Sequence, residues 1–379
     1  MMTDENGQAR SASESRTMET SRRIAREARR RIELITARIP RGRSLKVETP
    51  STLERLAVIS DTHIGAPLAV LTYPRAIEAM VEKLSSLGQI DELVLLGDIF
   101  DFWQSPVSEA LSRGRDMMSA LYELENVGRM IFLPGNHDHH IFRLYYEEQL
   151  GRRLREGDIE LPDLEMPVTD DCPALDAIRP SGAPVPLSMT YPIYQVSVQG
   201  SDALLTHGHF LGFFERSLWR PRHSVVSSML LNRTDGSLSL EDMENFMSPY
   251  YEMFTLSANV PGVVDGRYRI YRMILKTGKA LGVDSDTRTS VQRNATVEES
   301  SVLVEAMLDH FCTEKPRYFV YGHTHKQGLL TLPISGTEAI NTGAWLADGA
   351  PDHDRYNILE ITDAARLHQV EVGVIPRAR

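Results

Sequence analysis

Five times along this 379-residue chain, an apolar run of strand character gives way at once to a short cluster rich in Asp, His, Asn or Gly. Leu56–Ser60 leads into Asp61-Thr62-His63, and Leu93–Leu96 into Gly97-Asp98-Ile99-Phe100-Asp101. Met130–Leu133 leads into Gly135-Asn136-His137-Asp138, Ala203–Thr206 into His207-Gly208-His209, and Tyr318–Tyr321 into Gly322-His323-Thr324-His325. A fold that honours all five must bring strand ends to one edge. In open α/β sheets, the loops at the carboxyl ends of strands converge on one crevice. The glycines at 97, 135, 208 and 322 permit the tight turns that aim polar side chains inward. Carboxylate, amide oxygen and imidazole suit a hard-to-borderline divalent metal, and no thiolate joins them. Seven such donors are too many for one ion and suit two ions that share a bridging carboxylate.

Between the first three runs lie helical patterns. Ile77, Met80, Val81, Leu84 and Leu87 share one face, with Pro74 at the start and Gly88 at the stop. A second helical stretch spans about 107–127 and ends at Gly128. Strand–helix–strand–helix–strand favours a mainly parallel sheet. Further strands are expected at Ile193–Val198, Tyr356–Ile361 and Leu367–Val374. Thr296 with Glu299 forms a capping box that opens a helix to about Cys312. Two stretches interrupt the plan. Residues 158–192 carry seven prolines and read as a surface excursion. Residues 212–295 have a mostly helical pattern with Met229, Met243, Met247, Met253 and Met273. They read as a packed helical insertion, with a cap over the site as the alternative.

Charge divides the chain. Residues 1–46 hold 12 Lys/Arg and 6 Asp/Glu, whereas the remainder holds 29 and 46. An acidic body disfavours sequence-blind nucleic-acid binding. The stretch Arg22–Arg43 spaces Ile24, Ala28, Ile32, Ile35 and Ile39 at helical intervals. It reads as a solvated, partly helical or disordered tail, with contact to an anionic membrane surface as the alternative. The domain proper is expected over 47–379. There is no apolar run of about 18 residues, so no spanning helix is expected. Two cysteines, Cys172 and Cys312, and a polar amino terminus point to a reducing, cytoplasmic setting, with peripheral membrane contact through the tail or cap.

The ordered pattern DTH, GDIFD, GNHD, HGH and GHTH resembles the calcineurin-like metallophosphoesterase superfamily over about residues 54–375. The resemblance implies an α/β (α+β) fold: a four-layer α-β-β-α sandwich of two sheets flanked by helices, here with a mostly helical insertion. It implies one ion on Asp61, His63 and His325, a second on Asn136, His207 and His323, and Asp98 bridging both. It implies Mn2+ first, with Fe, Zn or Mg as alternatives. His137 matches the non-ligand His of GNHD, which protonates the leaving oxygen or steadies phosphoryl charge. Asp138 is expected to orient the His137 ring, and Asp101 to brace its loop.

The function implied is a metal-dependent phosphoric ester hydrolase. It would cleave a phosphomonoester, phosphodiester or pyrophosphate of a small or lipid-linked substrate by a metal-bridging hydroxide. GDIFDFW resembles the UDP-2,3-diacylglucosamine hydrolase-like branch. That branch has Arg where this chain has His137, and HGD where this chain has HGH. The alternatives are a DNA nuclease of the double-strand-break-repair type and a catalytically silent binding scaffold. His139, His140 and His209 are candidates for the substrate entrance, and Phe102 and Trp103 for core or rim. Arg143, Arg216, Arg220 and Arg222 are candidate phosphate grips, with surface solvation the default. His223, His310, His353 and His368 are taken as ordinary, and both cysteines as packed thiols.

Overall fold

All four side chains of the strand Leu56–Ile59 are buried, although successive residues of a strand point to opposite faces. A strand can bury both faces only when it lies between two layers, and the computed structural model shows those layers. It describes residues 52–164, 166–214, 239–266, 295–347 and 356–372, with Arg26, Arg29, Arg30, Ile32 and Glu33 of the tail. Arg216, Arg220, Arg222, His223, Met229, Met273 and His353 lie outside the described residues, as do both flanks of the insertion.

The strands are β1 (Thr52–Leu53), β2 (Leu56–Ile59), β3 (Ile90–Leu96), β4 (Val127–Leu133), β5 (Met166–Thr169), β6 (Leu187–Tyr191), β7 (Ile193–Val198), β8 (Ser201–Thr206), β9 (Tyr318–Tyr321), β10 (Gly328–Thr331), β11 (Glu338–Asn341), β12 (Tyr356–Ile361) and β13 (Ala365–Val370). They form a seven-stranded sheet in the order β13-β12-β2-β3-β4-β6-β5 and a six-stranded sheet in the order β1-β7-β8-β9-β11-β10. The longer helices are α1 (Pro74–Ser86), α2 (Val107–Tyr122), α3 (His140–Arg155), α4 (Leu240–Ala258) and α5 (Val297–Phe311).

Alternation along the strands builds the layers. Ala57, Ile59, Leu93, Leu95, Met130 and Phe132 face α1 and α2, meeting Ile77, Met80, Leu84, Met117, Met118 and Leu121. Their neighbours Leu56, Val58, Val94, Leu96, Ile131 and Leu133 face the other sheet, meeting Tyr194, Val196, Leu205, Tyr318 and Val320. The far side of that second sheet, through Leu204, Phe319 and Tyr321, packs on Val304, Met307, Leu308 and Phe311 of α5. The order is therefore helix, sheet, sheet, helix. Ile32 of the tail is buried in this last layer, so that part of the tail is packed and not solvated.

β2, β3 and β4 run parallel, and β8 runs parallel to β9. Each of the five clusters leaves the carboxyl end of one of these strands. The mainly parallel arrangement holds for the first crossovers, but both sheets are mixed: β12 is antiparallel to β2, and β7 to β8.

Three expectations are corrected. The Pro-rich stretch is not only a surface excursion. Its β6 pairs in parallel with β4, and Leu175, Val185, Leu187, Met189 and Tyr191 are buried in the helix-side core. The prolines sit mainly at turns and strand ends, where no ladder donor is lost. The second helix ends at Tyr122, and Gly128 lies inside β4. A Cβ on Gly128 would come 2.8 Å from the Asp91 carbonyl, so the glycine marks close backbone approach and not a helix stop. The strand expected at Leu93–Leu96 begins at Ile90, and the polar Glu92 inside it is buried with two partners, the Arg129 guanidinium and the Tyr194 hydroxyl. Among the described residues no helix is long and apolar enough to cross a membrane.

Candidate metal centre

The five loops are tied to one another through their backbones. Asp61 N–H donates to Gly97 O at 3.0 Å, His63 N–H to Asp98 O at 2.8 Å and Gly322 N–H to His207 O at 3.0 Å. The conformations are unusual. Six non-glycine residues among those described have positive φ, and five of them are Asp61, His63, Asp98, His323 and His325, at 47° to 65°. That region is sterically costly for L-residues, and such strain gathers where a site over-determines it.

Two glycines leave room for the donors. A Cβ on Gly135 would sit 2.4 Å from Asp98 Oδ1, and one on Gly322 would sit 2.1 Å from Asp61 Oδ2. Gly322→Ala is therefore expected to push Asp61 out of place. Metal content should drop by about one ion per chain, with a stability cost of about 1–3 kcal/mol from overpacking. Metal analysis beside a thermal melt checks this, and two retained ions would contradict it.

The side chains converge on two groups, which a third, His63, Asp98 and His137, joins. Asp61, His63 and His325 place one donor atom each within 4.8 Å of one another, and so do Asp98, His207 and His323. Asp98 Oδ2 lies 3.2 Å from His207 Nε2 and 3.7 Å from His63 Nε2, which sets it between the groups. Asn136 is buried, flanked by Gly135 and by His137, whose N–H donates to Asp98 Oδ1 at 2.8 Å. All seven sequence candidates for metal binding thus lie at one edge of the stacked sheets.

The residues fit divalent cations. His207 Nδ1 donates to Leu96 O at 3.2 Å, which turns the bare Nε2 toward the Asp98 carboxylate. His63 Nδ1 faces Asp101 Oδ2 at 3.3 Å, and its Nε2 lies 3.0 Å from His325 Nε2. With Nδ1 of each ring donating, to Leu96 O and to Asp101, the Nε2 lone pairs face Asp98 Oδ2 and His325 Nε2, and a proton or a cation between them relieves the repulsion. Asn136 Oδ1 and His207 Nε2 are buried polar atoms with no hydrogen-bond partner among the described residues, as expected of ligands. Burial, with the Asp98 charge added, pushes the Asp61 carboxyl up to about 7. Burial also opposes the Asp98 anion, but the His207 and His137 imidazoles outweigh it and hold that carboxyl well below its usual range. Such opposed shifts arise where one more positive charge would stabilise both anions.

The roles of the two nearby carboxylates are exchanged relative to expectation. Asp138 does not orient His137. Its carboxylate accepts from the N–H groups of Asp98, Ile99, Phe100 and Gly135 at 2.6–3.2 Å, so it fixes the loop that carries Asp98. Asp101 backs the histidines instead: its Oδ1 lies 2.9 Å from His137 Nδ1 and its Oδ2 3.3 Å from His63 Nδ1. It also braces its own loop, accepting from the N–H groups of Trp103 and Gln104. Trp103, expected at core or rim, stacks on the His137 ring at 4.0 Å between centroids, a contact its position in the sequence did not indicate.

His139 and His140 face the insertion rather than an entrance. His139 Nε2 lies 2.6 Å from Glu244 and its Nδ1 3.0 Å from Glu252, and His140 Nδ1 lies 2.6 Å from Glu252. These contacts latch α4 to the start of α3. Burial opposes the charge on His139, but Glu244 and Glu252 overcome it and raise the ring to about 9. Burial likewise opposes the Glu252 anion, and His139 and His140 outweigh it, lowering that carboxyl to about 2. A raised imidazole stabilises the fold fully below its ordinary value near 6.5 and loses that contribution as pH climbs through about 9. A depressed carboxyl contributes above 4.5 and loses it as pH falls through about 2. The latch should therefore be firmest between these ordinary values. The His139 gap corresponds to about 3 kcal/mol. Hydrogen exchange of α4 in the wild type and in His139→Ala should differ most near pH 6 and converge near pH 10.

Cys172 is buried beside Met189, and Cys312 caps α5. Arg143 pairs with Glu147, His310 packs on Phe214 and Phe311, and His368 pairs with Glu360. Phe102 is core. His209 is buried, with its ring 5.7 Å from that of His207.

Stacked mixed sheets between helices, with donor loops gathered at one edge, define a metallophosphoesterase-type sandwich. Residues 54–238 match the family described as calcineurin-like phosphoesterase. No curated protein sequence matches the chain. Among solved structures, a dimetal phosphatase from Danio rerio is similar at 13% identity, covering 86% of this chain and 100% of that one, with a TM-score of 0.35. Zinc-complexed wild-type Vps29 from Entamoeba histolytica is similar at 11% identity, covering 84% and 99%, with a TM-score of 0.28. A cold-active protein-tyrosine phosphatase of a psychrophilic Shewanella species shows 13% identity over 85% and 83%, with a TM-score of 0.29. At these TM-scores the likeness carries no functional information.

Proposed function

We propose that this protein is a two-ion phosphoesterase that hydrolyses a phosphomonoester, phosphodiester or pyrophosphate bond of a small or lipid-linked substrate. The observation that carries the reading is Asp98 set between two donor groups, with the acid-base residue His137 beside it. Asp61, His63 and His325 would hold one ion, Asn136, His207 and His323 the other, and Asp98 both. Mn2+ is the proposed occupant by the family resemblance, with Fe, Zn or Mg as alternatives that the same oxygen and imidazole donors would accept.

When bound, two such ions supply charge that activates a shared water and offsets the negative charge building on the phosphoryl oxygens. The chain's own residues do the rest. Asp101 holds His137 by its Nδ1, leaving Nε2 turned toward Asp98 at 4.0 Å. From there His137 delivers a proton to the leaving oxygen. Trp103, stacked on the ring, fixes its plane and keeps water from that face. Asp138 keeps the Asp98 loop in register. A cavity of about 370 Å³ lined by Gly65, Gln104, Ser105, Glu109, Arg113 and Asp265 adjoins the first two loops.

The motif GDIFDFW favours a nucleotide diphosphate conjugate, the substrate class of the branch it resembles. His137 and the HGH cluster depart from that branch. The test is a panel run on Mn2+-loaded protein: bis-p-nitrophenyl phosphate, p-nitrophenyl phosphate, a UDP-sugar conjugate, a cyclic nucleotide and linear DNA. Metal-dependent cleavage of an ester or pyrophosphate supports the reading. Degradation of DNA alone would favour a nuclease, and metal binding without any hydrolysis would favour a silent scaffold.

A further inference from the structure

Helix α4 lies beyond the family-matched stretch, yet it reaches the site. It begins at a capping box in which the Ser239 hydroxyl accepts from Asp242 N–H, and the Asp242 carboxylate accepts from Ser239 N–H. Its inner face carries Met243, Glu244, Tyr251 and Thr255, all buried. Glu244 and Glu252 bind His139 and His140, and Tyr191 donates its hydroxyl to Glu244. This network pins the helix on both sides of Tyr251.

The Tyr251 ring lies 5.3 Å from that of His139 and meets the ring of His209 edge-on at 5.7 Å. It lies 6.0 Å from Trp103, which stacks on His137. The Tyr251 side chain is thus part of the aromatic wall that carries the acid-base histidine. Its hydroxyl is buried and, among the described residues, has no hydrogen-bond partner. The same holds for Thr255 Oγ1, one turn further on, and for His209 Nδ1 across from it. Buried polar atoms are almost always partnered, because leaving them bare forfeits their hydration. Three bare atoms on one wall of a candidate active site point to a ligand that supplies their partners.

We propose that Tyr251 is a further catalytic residue, whose hydroxyl donates a hydrogen bond to an oxygen of the phosphoryl group held at the site. Thr255 and His209 line the same wall. The proposal rests on the phosphoesterase reading and adds a residue that the family motifs do not contain. Tyr251 forms no covalent bond and gives up no proton; it donates a hydrogen bond to an anionic oxygen as charge builds there. Burial, helped by the charges of Glu244 and Asp98, pushes its phenol well above the ordinary value, so it stays a donor throughout the working pH range.

The test compares wild type with Tyr251→Phe, which keeps the ring and removes only the hydroxyl. Both are loaded with Mn2+, and folding is checked by near-UV circular dichroism. Metal content should be equal. Affinity for inorganic phosphate, read by calorimetry, should fall about tenfold to a hundredfold, as for loss of a hydrogen bond to a charged group. The kcat/KM for bis-p-nitrophenyl phosphate should fall by a similar factor. Phosphate should perturb a tyrosine absorption band in the wild type that is missing in the variant. Wild-type phosphate affinity in Tyr251→Phe overturns the proposal and leaves the phosphoesterase reading intact. A wild-type protein that takes up Mn2+ but neither binds phosphate nor hydrolyses any ester overturns that reading, and the proposal with it. If the variant fails to fold, the wild-type tyrosine band decides, and its absence on phosphate addition overturns the proposal.

Discussion

Asp98→Ala is expected to strip most of the bound metal and to leave less than about 1% of wild-type hydrolysis. Losing an outer-shell partner of a metal ligand already costs about 10–100-fold, and Asp98 is proposed to hold both ions directly. Its carboxylate reaches His207 at 3.2 Å, His63 at 3.7 Å and His137 at 4.0 Å. No other described carboxylate sits between the two donor groups: Asp61 belongs to one, and Asp138 is turned onto backbone N–H groups. Removing Asp98 also removes the charge that raises His207 against the pull of burial. The second group is then left with Asn136, His207 and His323, neutral donors that bind a divalent cation weakly. Metal analysis after desalting, with activity measured at saturating Mn2+, checks the outcome. Asp98→Asn, which keeps shape and loses charge, should fall between the two. Two retained ions with undiminished turnover would remove Asp98 from the bridge.

Much of this site was legible because order along the chain reports order around the edge. Apolar runs such as Leu56–Ile59 lack polar alternation since both faces are buried, and that same burial forces the polar residue to the strand's end. What the sequence hid are contacts made through space. Besides Asp98, GDIFD supplies Asp101 and GNHD supplies Asp138, and nothing in their spacing says which one meets His137. The answer depends on how the second loop turns over the third, which puts Asp138 under four N–H groups and Asp101 beside the ring. The latch joins residues 105 and 113 positions apart, with no periodicity to betray it. β6 was hidden for another reason. Its flanking prolines read as loop, although each lies where the strand begins or ends. The short pair β10 and β11 carries too few residues to show a period.

His137→Ala is expected to keep both ions yet slow turnover by about 10²–10⁴-fold on substrates with a poor leaving group. The size of the loss should depend on that group. p-Nitrophenolate departs as a stable anion and needs no proton, so its loss should stay below about tenfold. An alkyl or sugar oxygen needs a proton as the P–O bond breaks, and the full loss should appear there. This contrast separates two roles that the geometry permits. His137 Nε2 lies close enough to His63 and Asp98 to join them as a metal donor. As a ligand, its removal would lower metal content and slow all substrates alike. As an acid, it leaves the ions in place and steepens the dependence of rate on leaving-group basicity. Asp101 should not mimic it cleanly. Because Asp101 backs both His137 and His63, Asp101→Asn should weaken one ion as well as slow protonation. A His137→Ala enzyme with full metal and the same fractional loss on every leaving group would rule out proton delivery by this ring.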